Sequence, residues 1–346
     1  MMRALLPRAA LLLAGIIAAL AFGEVLIRLL GAAPQVAWFQ REQFQISANP
    51  LIGWEPVGNA GPFAAAATQE QGSDAPNSLG FRDDEHSLMA AEGVYRILVL
   101  GDSITKGLGV PERERIVTSV MKRRLDEAGV RAEVINFGVE GYNTQQEVEM
   151  LRQKGLAFRP DVVVLAYCLN DRDWPAHHLY RELLEQESAS GNIAAARLSS
   201  WLRASALYRF LRFRVLDTDE KTTGGTKAEA RIQEMIDRVQ RDTVAEYFGV
   251  LEELARANDF AVVVAVFPWL VDLAQPRMDQ HRWVQDLSAR HGFHHLDLLP
   301  AFLVCERHYG QSLAADEVHP NILGHNCAGL AIADYIATTL QPPSRS

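Results

Sequence analysis

The sequence predicts an α/β fold, a three-layer α/β/α sandwich around a five-stranded parallel sheet. Three observations predict it. From Tyr95 onward, short apolar runs alternate with segments of helical character. The clearest runs, Val162-Val163-Val164-Leu165 and Val262-Val263-Val264-Ala265-Val266, are continuous rather than alternating, which suits strands buried on both faces. Short polar or glycine-containing motifs follow the first three runs. In open parallel sheets that carboxyl end is where ligands bind.

At the amino terminus, Arg3 and Arg8 precede the wholly apolar stretch Ala9–Gly23. That stretch alone reaches about 22 Å as a helix, short of a hydrocarbon core of about 30 Å. Val25, Leu26, Ile27, Leu29 and Leu30 continue the apolar surface, and Glu24 and Arg28, four apart, can pair on a helix. Residues 1–34 therefore read as a transmembrane signal anchor. Basic residues ahead of the segment place the amino terminus in the cytoplasm and the body on the periplasmic or extracellular side of the inner membrane. The rival is secretion after signal cleavage near Ala21, since Ala19-Leu20-Ala21 fits a small-residue site.

Residues 35–93 are rich in Gly, Pro, Ala and Asn, with weak periodicity. They read as a stalk and cap segment that packs partly on the body. Two islands interrupt it, Leu51-Ile52-Gly53-Trp54 and Asn77-Ser78-Leu79-Gly80-Phe81-Arg82. The body spans 94–342. Its expected strands are Ile97–Leu100, Ala132–Phe137, Val162–Tyr167, Ala261–Phe267 and a weaker Phe293–Leu298. Expected helices are Glu112–Ala128, opened by Pro111 and closed by Gly129, then Thr144–Lys154 and segments near 228–257, 277–290 and 323–340. A helical insertion at about 172–225 carries Arg197, Arg203, Arg209, Arg212 and Arg214 beside apolar residues at near-helical spacing. It reads as a cap with solvated arginines, or as a basic amphipathic helix on an anionic membrane.

Hydrophobic residues make up 48% and charged residues 22% of the 346, an ordinary globular balance. A net charge of −9 argues against a nucleic-acid footprint. Cys168, Cys305 and Cys327 show no metal spacing and read as three small buried hydrophobes; Cys305 and Cys327 can pair if the compartment is oxidising. The histidines form no metal-ligand pattern, and no cofactor is implied.

The chemistry concentrates in four pieces: Gly101-Asp102-Ser103, Asn136 to Asn143 with Gly138 and Gly141, Cys168-Leu169-Asn170-Asp171, and Asp316-Glu317-Val318-His319 before the last helix. A serine hydroxyl needs a base before it can attack an acyl carbon. Asp316 and His319, one turn apart, supply an imidazole and a carboxylate to orient it. With Ser103 early and the Asp–His pair late, the set suggests ester hydrolysis.

These four motifs, in this order from Arg96 to Leu340, resemble the SGNH hydrolases, also called the GDSL esterase/lipase family, with a flavodoxin-like fold. The anchor, the Asn-x-x-Gly-Phe-Arg segment and the Gly-Asp-Ser strand are also similar to its membrane-anchored bacterial members. The resemblance implies that Ser103 is the nucleophile, His319 the base and Asp316 its orienting carboxylate. It implies an oxyanion hole from the Ser103 N–H, the Gly141 N–H and the Asn170 amide. Cys168 stands where the third motif usually opens with glycine. Asp102 and Asp171 read as supporting residues that close turns, His325 as capping or packing the last helix, and Glu140 and Glu317 as solvated. The expected activity is an exported serine esterase acting on a lipid, an acylated glycan or an acetylated polymer. The alternatives are an O-acyltransferase passing the acyl group to a polysaccharide, or an inactive binding module.

Overall fold

The computed structural model describes residues 15, 18–30, 32, 43–58, 76–171, 205–211, 243–270, 273 and 276–342. The chain divides into two compact units, one of residues 1–39 and 181–232 and the other of 40–180 and 233–346.

In the first unit residues 18–29 are helical, and Leu20, Phe22, Val25, Leu26, Leu29 and Leu30 are exposed. Glu24 pairs with Arg28 at 2.7 Å. Its carboxylate also accepts the Ser205 hydroxyl and the N–H groups of Ala206 and Leu207, so it caps the short helix Ala206–Phe210. Among the described residues no helix is long and apolar enough to cross a membrane. The start of the expected anchor, 1–14, and most of the expected insertion at 172–225 lie outside the described residues.

The second unit is built on one parallel sheet. Its strands are β3 (Tyr95–Gly101), β4 (Ala132–Gly138), β5 (Val162–Cys168), β6 (Ala261–Phe267) and β7 (His294–Asp297), in the order β4-β3-β5-β6-β7. Burial of both faces explains the continuous apolar runs: Ile97 to Leu100, Val162 to Leu165 and Val263 to Val266 are all fully buried. Ile97, Val99, Val162, Val164, Val263 and Ala265 face a core shared with α2 (Val117–Glu127), α6 (Leu299–Tyr309) and α7 (Ile322–Tyr335). The alternate residues point to the opposite layer, where α3 (Thr144–Gln153), α4 (Val244–Asn258) and α5 (Met278–Arg290) lie. The short helix α1 (Ser103–Lys106) follows β3 directly.

Two elements differ from the sequence expectation. Helix α6 is absent from it, although Pro300 sits in the first turn, where its missing N–H costs no hydrogen bond. The island around Trp54 folds as an antiparallel hairpin, β1 (Phe44–Ile46) and β2 (Trp54–Pro56). His325 also acts differently. It lies on α7, but its Nδ1 accepts the Val117 N–H at 3.2 Å and so caps α2, whose N-cap Ile116 offers no side-chain acceptor. Burial lowers its pKa to about 4, which keeps the ring neutral for that role.

The reading of three reduced cysteines is corrected. Cys305 on α6 is bonded to Cys327 on α7, while Cys168 remains a free, buried thiol. The bridge closes a loop of 22 residues that contains Asp316 and His319. Such a closure is worth about 3 kcal/mol in the chain-entropy account. Replacing both cysteines by alanine is expected to lower Tm by roughly 10 °C. An unchanged melting curve would show that packing alone holds the loop.

Candidate active site

The two central loops lie at the point where the strand order reverses, between β3 and β5. Ser103 leaves the end of β3 and opens α1; Asn170 leaves the end of β5. Asp102 caps α1 by accepting the Ile104 N–H at 2.8 Å, which fixes the turn at the serine. The close fit continues across the sheet edge. A Cβ on Gly138 would lie 2.3 Å from the Lys106 nitrogen, so only glycine lets β4 and α1 approach this closely.

The structure brings Ser103, His319 and Asp316 together. Ser103 Oγ lies 2.8 Å from His319 Nε2, across 216 residues of sequence. His319 Nδ1 lies 2.7 Å from Asp316 Oδ2 and 2.9 Å from Oδ1. Partial burial of Asp316 opposes its charge, but the backbone N–H groups of His319 and Val318 and the imidazole outweigh it and hold the carboxyl below its ordinary value. An ionised Asp316 fixes the tautomer with the proton on Nδ1, leaving the Nε2 lone pair to accept from the serine. The loop is pinned at both ends. Ala315 N–H donates to His319 O at 2.8 Å, and Asn321 caps α7 through Leu323 and Gly324 while donating to Ser312 O.

The proposed oxyanion donors are placed as follows. The Ser103 N–H lies in the first turn of α1 and has no helical acceptor. Gly141 adopts φ 78°, a left-handed conformation that glycine accepts without strain. Asn143 then caps α3 in a capping box with Gln146. The Asn170 side chain lies near Asp102 and favours its carboxylate, and its amide nitrogen carries two hydrogens to offer. Cys168 is buried in the core that also holds Phe267, Leu270 and Leu298.

The expectation that Glu140 is solvated is corrected. Its carboxylate lies 3.2 Å from Lys106 Nζ and its side chain is 13% exposed. Glu317 is exposed, as read from sequence.

Sequence reasoning missed a buried acidic group behind the serine. Burial raises Asp102 to about 6. Burial, then the neighbouring carboxyls, pushes Asp171 and Glu147 well above the ordinary range. Asp171 accepts the Thr144 hydroxyl at 2.8 Å, whereas both oxygens of Glu147 have no hydrogen-bond partner among the described residues. Three such carboxyls cannot all ionise without a cation, so the group retains protons at neutral pH. The sequence carries no signal for it: Glu147 lies one turn after Thr144 in a mostly polar stretch, and only the structure shows that this helix is buried on nearly every side. The stabilising contribution of a protonated Glu147 is complete below its ordinary value of 4.5 and is lost as pH rises toward the raised folded-state value. Glu147→Gln removes that titration. Its Tm relative to the parent is therefore expected to climb as pH rises above the ordinary value of 4.5, by about 2–4 °C for each kcal/mol relieved. A pH-independent difference would contradict the assignment.

A serine facing an oriented imidazole, beside several amide donors, can perform acyl transfer. Residues 99–327 match the family model of the GDSL-like lipase/acylhydrolase family. The chain belongs to that family. This acylhydrolase is a carboxylic-ester hydrolase. No curated protein matches it. Among solved structures it is similar to an acetyl xylan esterase, at 16% identity over 70% of this chain and 99% of that one with TM-score 0.41. It is similar to a two-domain esterase active on acetylated mannans, at 14% identity over 73% of this chain and 51% of that one with TM-score 0.42. It is also similar to the lipase/acylhydrolase from Enterococcus faecalis, at 19% identity over 72% of this chain and all of that one with TM-score 0.40.

Proposed function

We propose that this acylhydrolase cleaves its ester through an acyl-Ser103 intermediate, outside the cytoplasm, while held to the membrane by its amino terminus. The observation that carries the chemistry is the 2.8 Å approach of Ser103 Oγ to His319 Nε2. His319 takes the Ser103 proton as Oγ attacks the carbonyl carbon. The Ser103 and Gly141 N–H groups and the Asn170 amide receive the developing oxyanion. The intermediate collapses, His319 returns the proton to the alcohol, and the acyl group stays on Ser103. Water, deprotonated by the same imidazole, then releases the acid. Asp316 stabilises the imidazolium in both halves, and Asp102 adds a second carboxyl within electrostatic reach of His319.

Two features support the location. The basic residues and apolar run of the first thirty positions suit a membrane anchor with an exported body. The Cys305–Cys327 bridge suits an oxidising compartment. The substrate class that fits both is an acyl ester of the cell envelope, on a lipid or a glycan.

The full chain, in detergent, should be offered esters of increasing acyl length and acetylated sugars, with and without a free glycan acceptor. Release of free acid independent of the acceptor supports hydrolysis. Acyl transfer to the glycan in preference to water would overturn it.

A further inference from the structure

We propose that Trp54 is a positioning residue for the oxyanion hole, acting through the peptide that joins Glu140 to Gly141. The proposal rests on the reading above that the Gly141 N–H serves as an oxyanion donor. The Glu140 carbonyl and the Gly141 N–H belong to one planar peptide unit, so fixing the direction of one fixes the other. Trp54 Nε1 donates to that carbonyl at 3.3 Å. Gly141, at φ 78°, has no Cβ to restrain rotation of this peptide. The indole hydrogen bond supplies the restraint, and it also polarises the peptide so that its N–H becomes a better donor.

The indole is itself held firmly. Trp54 is 2% exposed. Its own carbonyl accepts the hydroxyl of Tyr142, and the two rings meet edge to face at 5.6 Å between centroids. Trp54 therefore bonds to both residues that flank Gly141 in sequence, Glu140 and Tyr142. Gln145 and Gln146 at the start of α3 donate to the Leu51 and Ile52 carbonyls at 3.2 and 2.6 Å, which anchors the hairpin turn. Below the same loop, Lys106 at the end of α1 binds Glu140 and the Gln43 amide oxygen and lies 4.9 Å from the Phe44 ring centroid. The hairpin 43–57 thus clamps the serine helix and the Gly141 loop to each other.

The decisive variants delete the indole N–H and little else. They are Trp54→Phe and replacement of Trp54 by benzothienylalanine, in which sulfur stands where the N–H was and the volume is kept. In the full-length protein we expect kcat to fall about 10- to 100-fold with KM within a factor of two. The affinity of a boronic acid inhibitor, whose tetrahedral adduct on Ser103 carries an oxygen in the same hole, should fall by the same factor. A purely structural loosening would not make kcat and boronate affinity fall together while KM stays constant. Unchanged kcat in the benzothienyl variant, or a kcat loss without loss of boronate affinity, would overturn the proposal. If Trp54→Phe does not fold, the benzothienyl variant decides alone. Failure of the underlying reading is separately visible: the parent would then hydrolyse no ester, or Ser103→Ala would retain activity.

Discussion

Replacing His319 by alanine is expected to lower kcat/KM by about 10⁴- to 10⁶-fold, while Tm moves by only a few degrees. The size follows from the geometry. Among the described residues, the base bonded to the Ser103 hydroxyl is His319, through Nε2 at 2.8 Å. Without it the hydroxyl keeps its proton, and what survives is the electrostatic stabilisation of the oxyanion donors. The small effect on stability follows from the loop, which Asn321 and the backbone Ala315–His319 hydrogen bond hold without the imidazole. Steady-state kinetics with circular dichroism on the same preparation checks both halves. Activity within tenfold of the parent would remove His319 from the account.

The second large effect is expected at Asn170. Asn170→Ala should lower kcat by about 10²- to 10³-fold with little change in KM, because an oxyanion donor acts only once charge has developed. The Asn170 side chain also favours the Asp102 carboxylate, so its loss lets the Asp102 pKa rise. The acid limb of the pH–rate profile should therefore move in Asn170→Ala, and should move less in a variant that weakens only the Gly141 donor. A rise in KM with kcat unchanged would place Asn170 in ground-state binding instead.

The strands were legible because a strand buried on both faces admits almost nothing but Val, Ile, Leu and Ala, as Ile97 to Leu100 and Val162 to Leu165 show. The serine and the late Asp–His pair were legible as residue types in order, and the parallel sheet explains how 216 residues can separate atoms 2.8 Å apart. What stayed hidden depends on contacts between segments that look ordinary alone. The strands of the β1–β2 hairpin have three residues each, too short for a periodicity. The Trp54–Glu140 hydrogen bond joins a stalk residue to a loop 86 positions away. Glu140 reads as solvated, and Glu147 draws no reading at all, because a single sequence does not reveal that Lys106 faces one and that Asp102 and Asp171 lie near the other. Residues 1–14 of the expected anchor and most of the expected insertion lie outside the described residues.

The central claim is that His319 activates Ser103 as the acyl acceptor. The most direct measurement is covalent labelling with a fluorophosphonate, read by intact mass and by mapping the modified peptide. The account predicts one adduct per chain, on Ser103, absent in Ser103→Ala and formed at least about 10³-fold more slowly in His319→Ala. Labelling of Ser103→Ala at the parent rate, or an adduct on any other residue in an active parent, would contradict it.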